Sequence, residues 1–212
     1  MTKEVTPHDR PADGNPRAPS VPQSAIDSNR EALKWYDENY DYYDSLIDPE
    51  PSKNREDALS RLVAEVPTDG LILEFGSASG RDADFVESLG PRVRRTDITQ
   101  GFIAIQAKRG RKVESLDILT GNYGGPYDGI FAMCVMLHVR PEATDAVLAK
   151  IAGALNAGGV FLVSVREVAD ERATAWSRDA FAARLEAAGL AVIWDDRDFD
   201  GDQWIVFLAR KA

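Results

Sequence analysis

Leu71-Ile72-Leu73-Glu74-Phe75-Gly76-Ser77-Ala78-Ser79-Gly80-Arg81-Asp82 is the stretch whose reading decides the fold. Apolar residues on both sides of Glu74 make a short buried strand with one acid near its end. The five small residues 76–80 follow as a tight turn, and Arg81-Asp82 open a helix. Gly76 and Gly80 stand where the backbone must bend sharply or approach another group without a Cβ in the way. The first amides of the helix have no partners within it, so polar ligand groups can dock there. A strand, a small-residue turn and a helix in this order suggest a site for a nucleotide-like cofactor.

Working outward, residues 93–97 form a second strand ending at Asp97, about twenty residues beyond the glycine turn. At that separation an acid closing the next strand of a β-α-β unit meets a ribose hydroxyl pair. Thr99 is placed to cap the next helix. A third strand, 112–117, again ends in an acid, Asp117. A buried fourth strand, 127–133, runs into Cys134 and on to His138. Pro141 suits a helix's first turn, with Val147, Leu148, Ile151 and Leu155 at helical spacing. Asn156-Ala157-Gly158-Gly159 reads as a turn into a fifth strand, 160–165. After a helix at 177–188, strands 190–194 and 204–209 flank an acidic turn and form a hairpin. Strand and helix alternate five times before that hairpin. The expected fold is therefore α/β: a Rossmann-like, seven-stranded, mostly parallel sheet with helices on both faces and a C-terminal antiparallel hairpin.

Upstream, helix 54–66 carries the apolar stripe Ala58, Leu59, Leu62, Val63 and Val66. Before it, Ser28 and Glu31 form a capping box for a helix bearing Tyr36, Tyr40 and Tyr43 on one face. These tyrosines pack in the core or, on the sharper reading, Tyr36 or Tyr43 lines the cofactor site. Residues 1–23 hold five prolines and few apolar side chains, so residues 1–24 are expected to be a disordered tail and 25–212 one domain.

The formal net charge of −10 disfavours a nucleic-acid partner, whose phosphates the chain would repel. The single Cys134 cannot form an intramolecular disulfide. No apolar run reaches membrane-spanning length and no signal-peptide core is evident, so no membrane partner is expected and the expected location is the cytoplasm. With two histidines and no clustered ligands, no metal is expected. Asp196-Arg197-Asp198-Phe199-Asp200-Gly201 imitates half a calcium loop, but its twelfth position is Phe207. The run Lys108-Arg109-Arg111-Lys112 reads as a solvated helix end.

Glu74, Asp97 and Asp117 thus close three successive strands, where an open parallel sheet borders its ligand crevice. Acids there suit hydroxyls, amines or a cation, and repel a pyrophosphate. The dinucleotide pattern G-x-G-x-x-G would also need glycines at Ala78 and Arg81, so a nicotinamide oxidoreductase is a distant reading.

At these residues the chain resembles the class I S-adenosylmethionine-dependent methyltransferases, small bacterial members included. The matching pieces are 71–81, Thr96-Asp97-Ile98-Thr99, Leu116-Asp117-Ile118, 127–133 with Leu137-His138-Val139, and 155–161, in order and at natural spacing. The resemblance implies that Gly76, Ser77, Gly80 and the turn between them hold the methionine portion, with Glu74, Arg81 and Tyr43 in the same site. It implies that Asp97 binds the ribose hydroxyls, that Ile98 lies against the adenine, and that Asp117 and the Ile118 amide meet the adenine ring. Met133 and Cys134 would line the methionine side. Ala78 departs from the family, which usually has a third glycine there.

The activity implied is in-line methyl transfer from S-adenosyl-L-methionine to a small-molecule acceptor such as a natural-product intermediate. His138 is the candidate catalytic base if the acceptor is a hydroxyl. Residues 166–176 and 36–43 are the expected acceptor walls. Two alternatives stay open: a peptide, protein or RNA acceptor, RNA being disfavoured by charge, and a non-catalytic S-adenosylmethionine-binding module. The acceptor, the methylated atom and the oligomeric state are not legible.

Overall fold

The computed structural model describes residues 20–168, 174–197 and 203–212. The expected tail over 1–19, the centre of the 166–176 wall and the calcium-like turn past Arg197 lie outside the described residues. The elements run α1 (Gln23–Leu46), α2 (Lys53–Ala64), β1 (Leu71–Phe75), α3 (Arg81–Ser88), β2 (Arg92–Asp97), α4 (Gln100–Lys108), β3 (Val113–Ser115), β4 (Tyr127–Ala132), α5 (Pro141–Ala154), β5 (Leu155–Arg166), α6 (Arg178–Ala187), β6 (Leu190–Arg197) and β7 (Trp204–Lys211). A short 3-10 turn, Met136–His138, follows β4.

The sheet has seven strands in the order β3-β2-β1-β4-β5-β7-β6. The first five are parallel, and β7 joins β5 and β6 antiparallel as the final hairpin. The chain winds outward from β1 through β2 to β3, then returns to the other side of β1 as β4. That reversal opens a crevice at the carboxyl ends of β1 and β4.

Strand periodicity assigns the two cores. Ile72, Phe131, Val160 and Leu162 face one side with Ala58, Leu59 and Leu62 of α2 and Val86 of α3. Leu73, Phe75, Ile130, Phe161, Val163 and Val165 face the other with α5, Phe181 and Leu185 of α6, and Ala25 of α1. Each buried Leu, Ile or Phe contributes about 1.5–3 kcal/mol, so both faces must be covered. Ser52 caps α2 by accepting from the Arg55 amide, and Ser177 caps α6 by accepting from the Ala180 amide.

Several local expectations are corrected. The first helix begins at Gln23, so Ser28 lies inside it and the Ser28–Glu31 capping box does not form. Burial of Ala25 and Asn29 orders this turn, and Val21 packs against the same core. The helix breaks at Asn39 (φ −130°, ψ 17°), whose Nδ2 donates to the Trp35 carbonyl at 2.8 Å. β3 is only three residues long, which leaves Asp117 in the loop beyond it. The 156–159 segment is an irregularity within β5, not a separate turn, because Leu155 already pairs with Tyr127. Thr99 precedes α4 without a side-chain cap. Arg109 and Arg111 are not simply solvated: both pair with Asp84 of α3, Arg111 at 2.8 Å.

Candidate active site

The crevice over β1 and β4 is a cleft whose floor is the Gly76–Gly80 turn. The turn is held from three directions. Its Ser77 amide donates to Thr96 O at 2.9 Å, and the Gly80 amide closes it onto Ser77 O at 2.7 Å. From α4, the fully buried Gln106 gives Nε2 to Ser77 Oγ and to Ala78 O, both at 2.9 Å. Arg109 adds a bond to Ser79 O at 2.6 Å. Gly76 (φ 68°) and Gly80 (φ 88°) are left-handed, and a Cβ on Gly80 would stand 2.5 Å from Gln106 Oε1. Ala78 shares that conformation, at φ 45°. It sits where a glycine costs nothing and an alanine is strained.

Asp97 is buried at the end of β2 and organises the turn. Its Oδ2 accepts from the Ala78 amide and its Oδ1 from the Thr99 amide, each at 2.8 Å. Burial raises its pKa, and these amides pull the other way. A carboxylate offers about four acceptor positions, so two amides leave room for two hydroxyls. Asp117 is braced by the Leu119 amide (2.7 Å) and the Thr120 hydroxyl (2.6 Å).

Most of the residues singled out from the sequence converge here. Tyr43, Gly76, Ser77, Arg81, Asp97, Ile98, Asp117, Ile118, Met133, Cys134 and His138 all line the cleft. Glu74 and Gly80 do not. Gly80 is the N-cap of α3. Glu74 is 2% exposed behind the turn, hydrogen-bonded to Ser77, and among the described residues its Oε2 meets no partner. Burial pushes its carboxyl up to about 8, against the Ser77 hydrogen bond and Arg95, with Asp82 and Asp97 pushing the same way as burial. Glu74 therefore stands behind the turn rather than on the cleft wall, in surroundings that favour the neutral acid.

Other site residues escaped the sequence. Arg55, in the first turn of α2, has a side chain only 7% exposed. It reaches Asp82 at 2.6 Å and Cys134 Sγ at 3.2 Å, and it lines the cleft beside Arg81. In Lys53-Asn54-Arg55-Glu56-Asp57 it is one charge among several, and nothing local marks it. Gln106 had a signal, as the polar interruption of Phe102-Ile103-Ala104-Ile105. Asn29 had one too: Asn29, Leu33, Tyr36, Tyr40 and Tyr43 follow helical spacing along one face of α1. Cys134 is also left-handed (φ 59°), its amide donating to Ser164 Oγ at 2.8 Å.

At the other end, α1 leans over the 3-10 turn. Tyr36 Oη lies 3.2 Å from His138 Nε2, and the rings meet edge to face at 5.4 Å. Asn29 Nδ2 donates to His138 O at 3.1 Å. The cleft thus has two parts. One holds the guanidiniums of Arg55 and Arg81 and the three carboxylates of Asp82, Asp97 and Asp117 around the turn. The other is lined by Asn29, Leu33, Tyr36, Val135 and His138. Among the described residues no cluster of three His, Cys, Asp or Glu is placed to hold a metal, and no helix is long and apolar enough to cross a membrane.

No protein-family model and no curated protein matches the chain. Solved structures do. One is the 1,6-didemethyltoxoflavin-N1-methyltransferase of Burkholderia thailandensis with bound 1,6-didemethyltoxoflavin and S-adenosylhomocysteine. It is 22% identical with a TM-score of 0.68, over 95% of this chain and 94% of that one. Magnesium protoporphyrin IX methyltransferase from Synechocystis PCC 6803, with bound S-adenosylmethionine, is 14% identical with a TM-score of 0.73, over 90% and 100%. The [4+2]-cyclase SpnF is 15% identical with a TM-score of 0.63, over 92% and 98%. The fold is that of the class I methyltransferases, and the cyclase shows that it hosts other chemistry.

Proposed function

We propose that this chain is an S-adenosylmethionine-dependent methyltransferase acting on a small molecule. The observation that carries the reading is the set of charged groups that the fold brings together in one cleft. Arg55 of α2 and Arg81 and Asp82 of α3 line the cleft with the Gly76–Ser79 turn, and Asp97 and Asp117 are the acids that would take the ribose hydroxyls and the adenine amine. A pyrophosphate in the cleft would face these carboxylates, so a dinucleotide fits poorly. Ile98, Phe102, Leu116 and Ile118 supply apolar contact for an adenine ring. The fold of structures solved with S-adenosylmethionine or S-adenosylhomocysteine supports the same cofactor. The 1,6-didemethyltoxoflavin bound in the Burkholderia thailandensis enzyme supports a small-molecule acceptor. An acidic chain with one cysteine fits the cytoplasm.

When bound, the cofactor supplies a methyl group on a cationic sulfur that leaves as a neutral thioether. The protein has to orient the acceptor in line and exclude water, which is where most of the acceleration comes from. Asp97 and the turn hold the nucleoside and methionine portions, while Met133, Cys134 and Tyr43 close the sides. His138, beside the Tyr36 hydroxyl, takes the proton that a hydroxyl acceptor gives up.

Calorimetric titration tests the cofactor. S-adenosylmethionine should bind, and Asp97→Asn should weaken it about 10- to 100-fold through lost charge-assisted hydrogen bonds. No binding at millimolar concentration refutes the reading. Release of S-adenosylhomocysteine in the presence of acceptors tests transfer. His138→Gln should lower kcat about 100-fold or more with unchanged cofactor affinity. Binding without release on any acceptor favours the non-catalytic alternative, or another reaction such as the cyclase fold-mate's.

A further inference from the structure

The part of the cleft beneath α1 has a different chemistry from the part over the turn, and Asn29 defines it. Asn29 is 5% exposed, yet it lines the cleft. Its Nδ2 is committed to the His138 carbonyl at 3.1 Å, which sets the orientation of the amide. No donor among the described residues reaches its Oδ1, and that oxygen is not among the buried atoms sealed away from contact. That oxygen keeps some exposure, so the donor of a bound molecule can reach it and replace water there. Leu33 and Val135 make the apolar walls around it, and Tyr36 with His138 makes the polar edge.

Among the described residues, five charged side chains line the cleft. They are Arg55 on α2, Arg81 and Asp82 on α3, Asp97 at the end of β2 and Asp117 in the loop after β3. Among the described residues, no carboxylate, ammonium or guanidinium lines the space beside Asn29. A ligand carrying a carboxylate or phosphate there would meet no counter-ion among the described residues, and burying an unpaired charge carries a large penalty.

Building on the methyltransferase reading, we infer that this space is an acceptor subsite for an uncharged, largely apolar molecule presenting an O–H or N–H donor, and that Asn29 Oδ1 receives that donor and selects for it. Asn29 is a specificity residue. It orients the donor group toward Tyr36 and His138, and through its Nδ2 it also steadies the His138 turn.

The test uses four probes titrated calorimetrically onto the chain saturated with S-adenosylhomocysteine: 2-naphthol, naphthalene, 3-hydroxy-2-naphthoate and 2-naphthyl phosphate. 2-Naphthol should bind at least 10-fold more tightly than either anion. Asn29→Leu should weaken 2-naphthol about 10-fold and leave naphthalene within twofold, because only the hydroxyl loses a partner. S-adenosylhomocysteine affinity should stay within twofold. Equal loss of naphthol and naphthalene would mean that Asn29 only packs, and overturns the inference. So would an anion that binds as tightly as 2-naphthol, or no binding of 2-naphthol to the cofactor-saturated chain. Failure of S-adenosylhomocysteine itself to bind refutes the underlying reading instead. The same probes on the cofactor-free chain then still decide whether the subsite prefers neutral donors.

Discussion

Replacing Ala78 by glycine should stabilise this protein, against the usual direction of an alanine-to-glycine change. Ala78 stands at φ 45°, where an L-residue with a Cβ pays about 1–2 kcal/mol relative to glycine. Glycine recovers that strain but brings a looser unfolded chain, which takes back about 0.4–1 kcal/mol. The net gain is between about 0 and 1.6 kcal/mol. For a chain of this length each kcal/mol moves the melting temperature by about 2–4 °C, so Ala78→Gly should raise it by up to about 6 °C. Ala78→Val, which puts a β-branched residue in the same left-handed position, should lower it. Scanning calorimetry of the three proteins, with and without S-adenosylhomocysteine, measures both effects. The hydrogen bonds from the Ala78 amide to Asp97 and from Gln106 to the Ala78 carbonyl involve backbone alone. Glycine keeps them, so cofactor affinity should stay within about twofold. A melting temperature that falls in Ala78→Gly would refute the strain argument, and a large gain in affinity would show that the methyl group crowds the ligand instead.

Two further perturbations probe the support of the turn. Burial raises Glu74 from 4.5 to about 8. The folded state therefore binds more protons than the unfolded state between those values, and its stabilising contribution, complete below pH 4.5, is lost as pH rises through 8. At 1.36 kcal/mol per pH unit the upper limit is about 5 kcal/mol. Glu74→Gln should flatten urea-derived stability between pH 5 and pH 8.5; curves that remain parallel would mean that Glu74 is ionised throughout. Gln106→Leu strips buried partners from Ser77, Ala78 and Arg95. It should cost about 3 kcal/mol, lowering the melting temperature by about 6–12 °C, and should weaken S-adenosylmethionine by more than 10-fold. Unchanged cofactor affinity would show that Asp97 alone holds the turn.

Local chemistry determined much of this protein. The apolar run 71–75 followed by small residues could only be a buried strand entering a tight turn. The repeated strand-helix alternation dictated a parallel sheet, and the acids Asp97, closing β2, and Asp117, beyond β3, lay at the edge where such sheets bind ligands. Those readings need only period, turn residues and spacing within a few dozen positions. What the tertiary structure decided joins distant parts of the chain. Asn29 meets the His138 carbonyl across 109 positions, Arg55 meets Cys134 across 79, and Gln106 grips Ser77 across 29. Burial of Ala25 extended α1 back to Gln23, although the local pattern favoured a cap at Ser28. Burial also put Glu74 behind the turn, where its surroundings favour the neutral acid, and backbone geometry put Ala78 in a glycine's conformation. Hydrophobic periodicity says which side of an element is inside. It does not say which element will lie against it, and it is that neighbour which sets an ionisation state, completes a hydrogen bond or imposes a backbone angle.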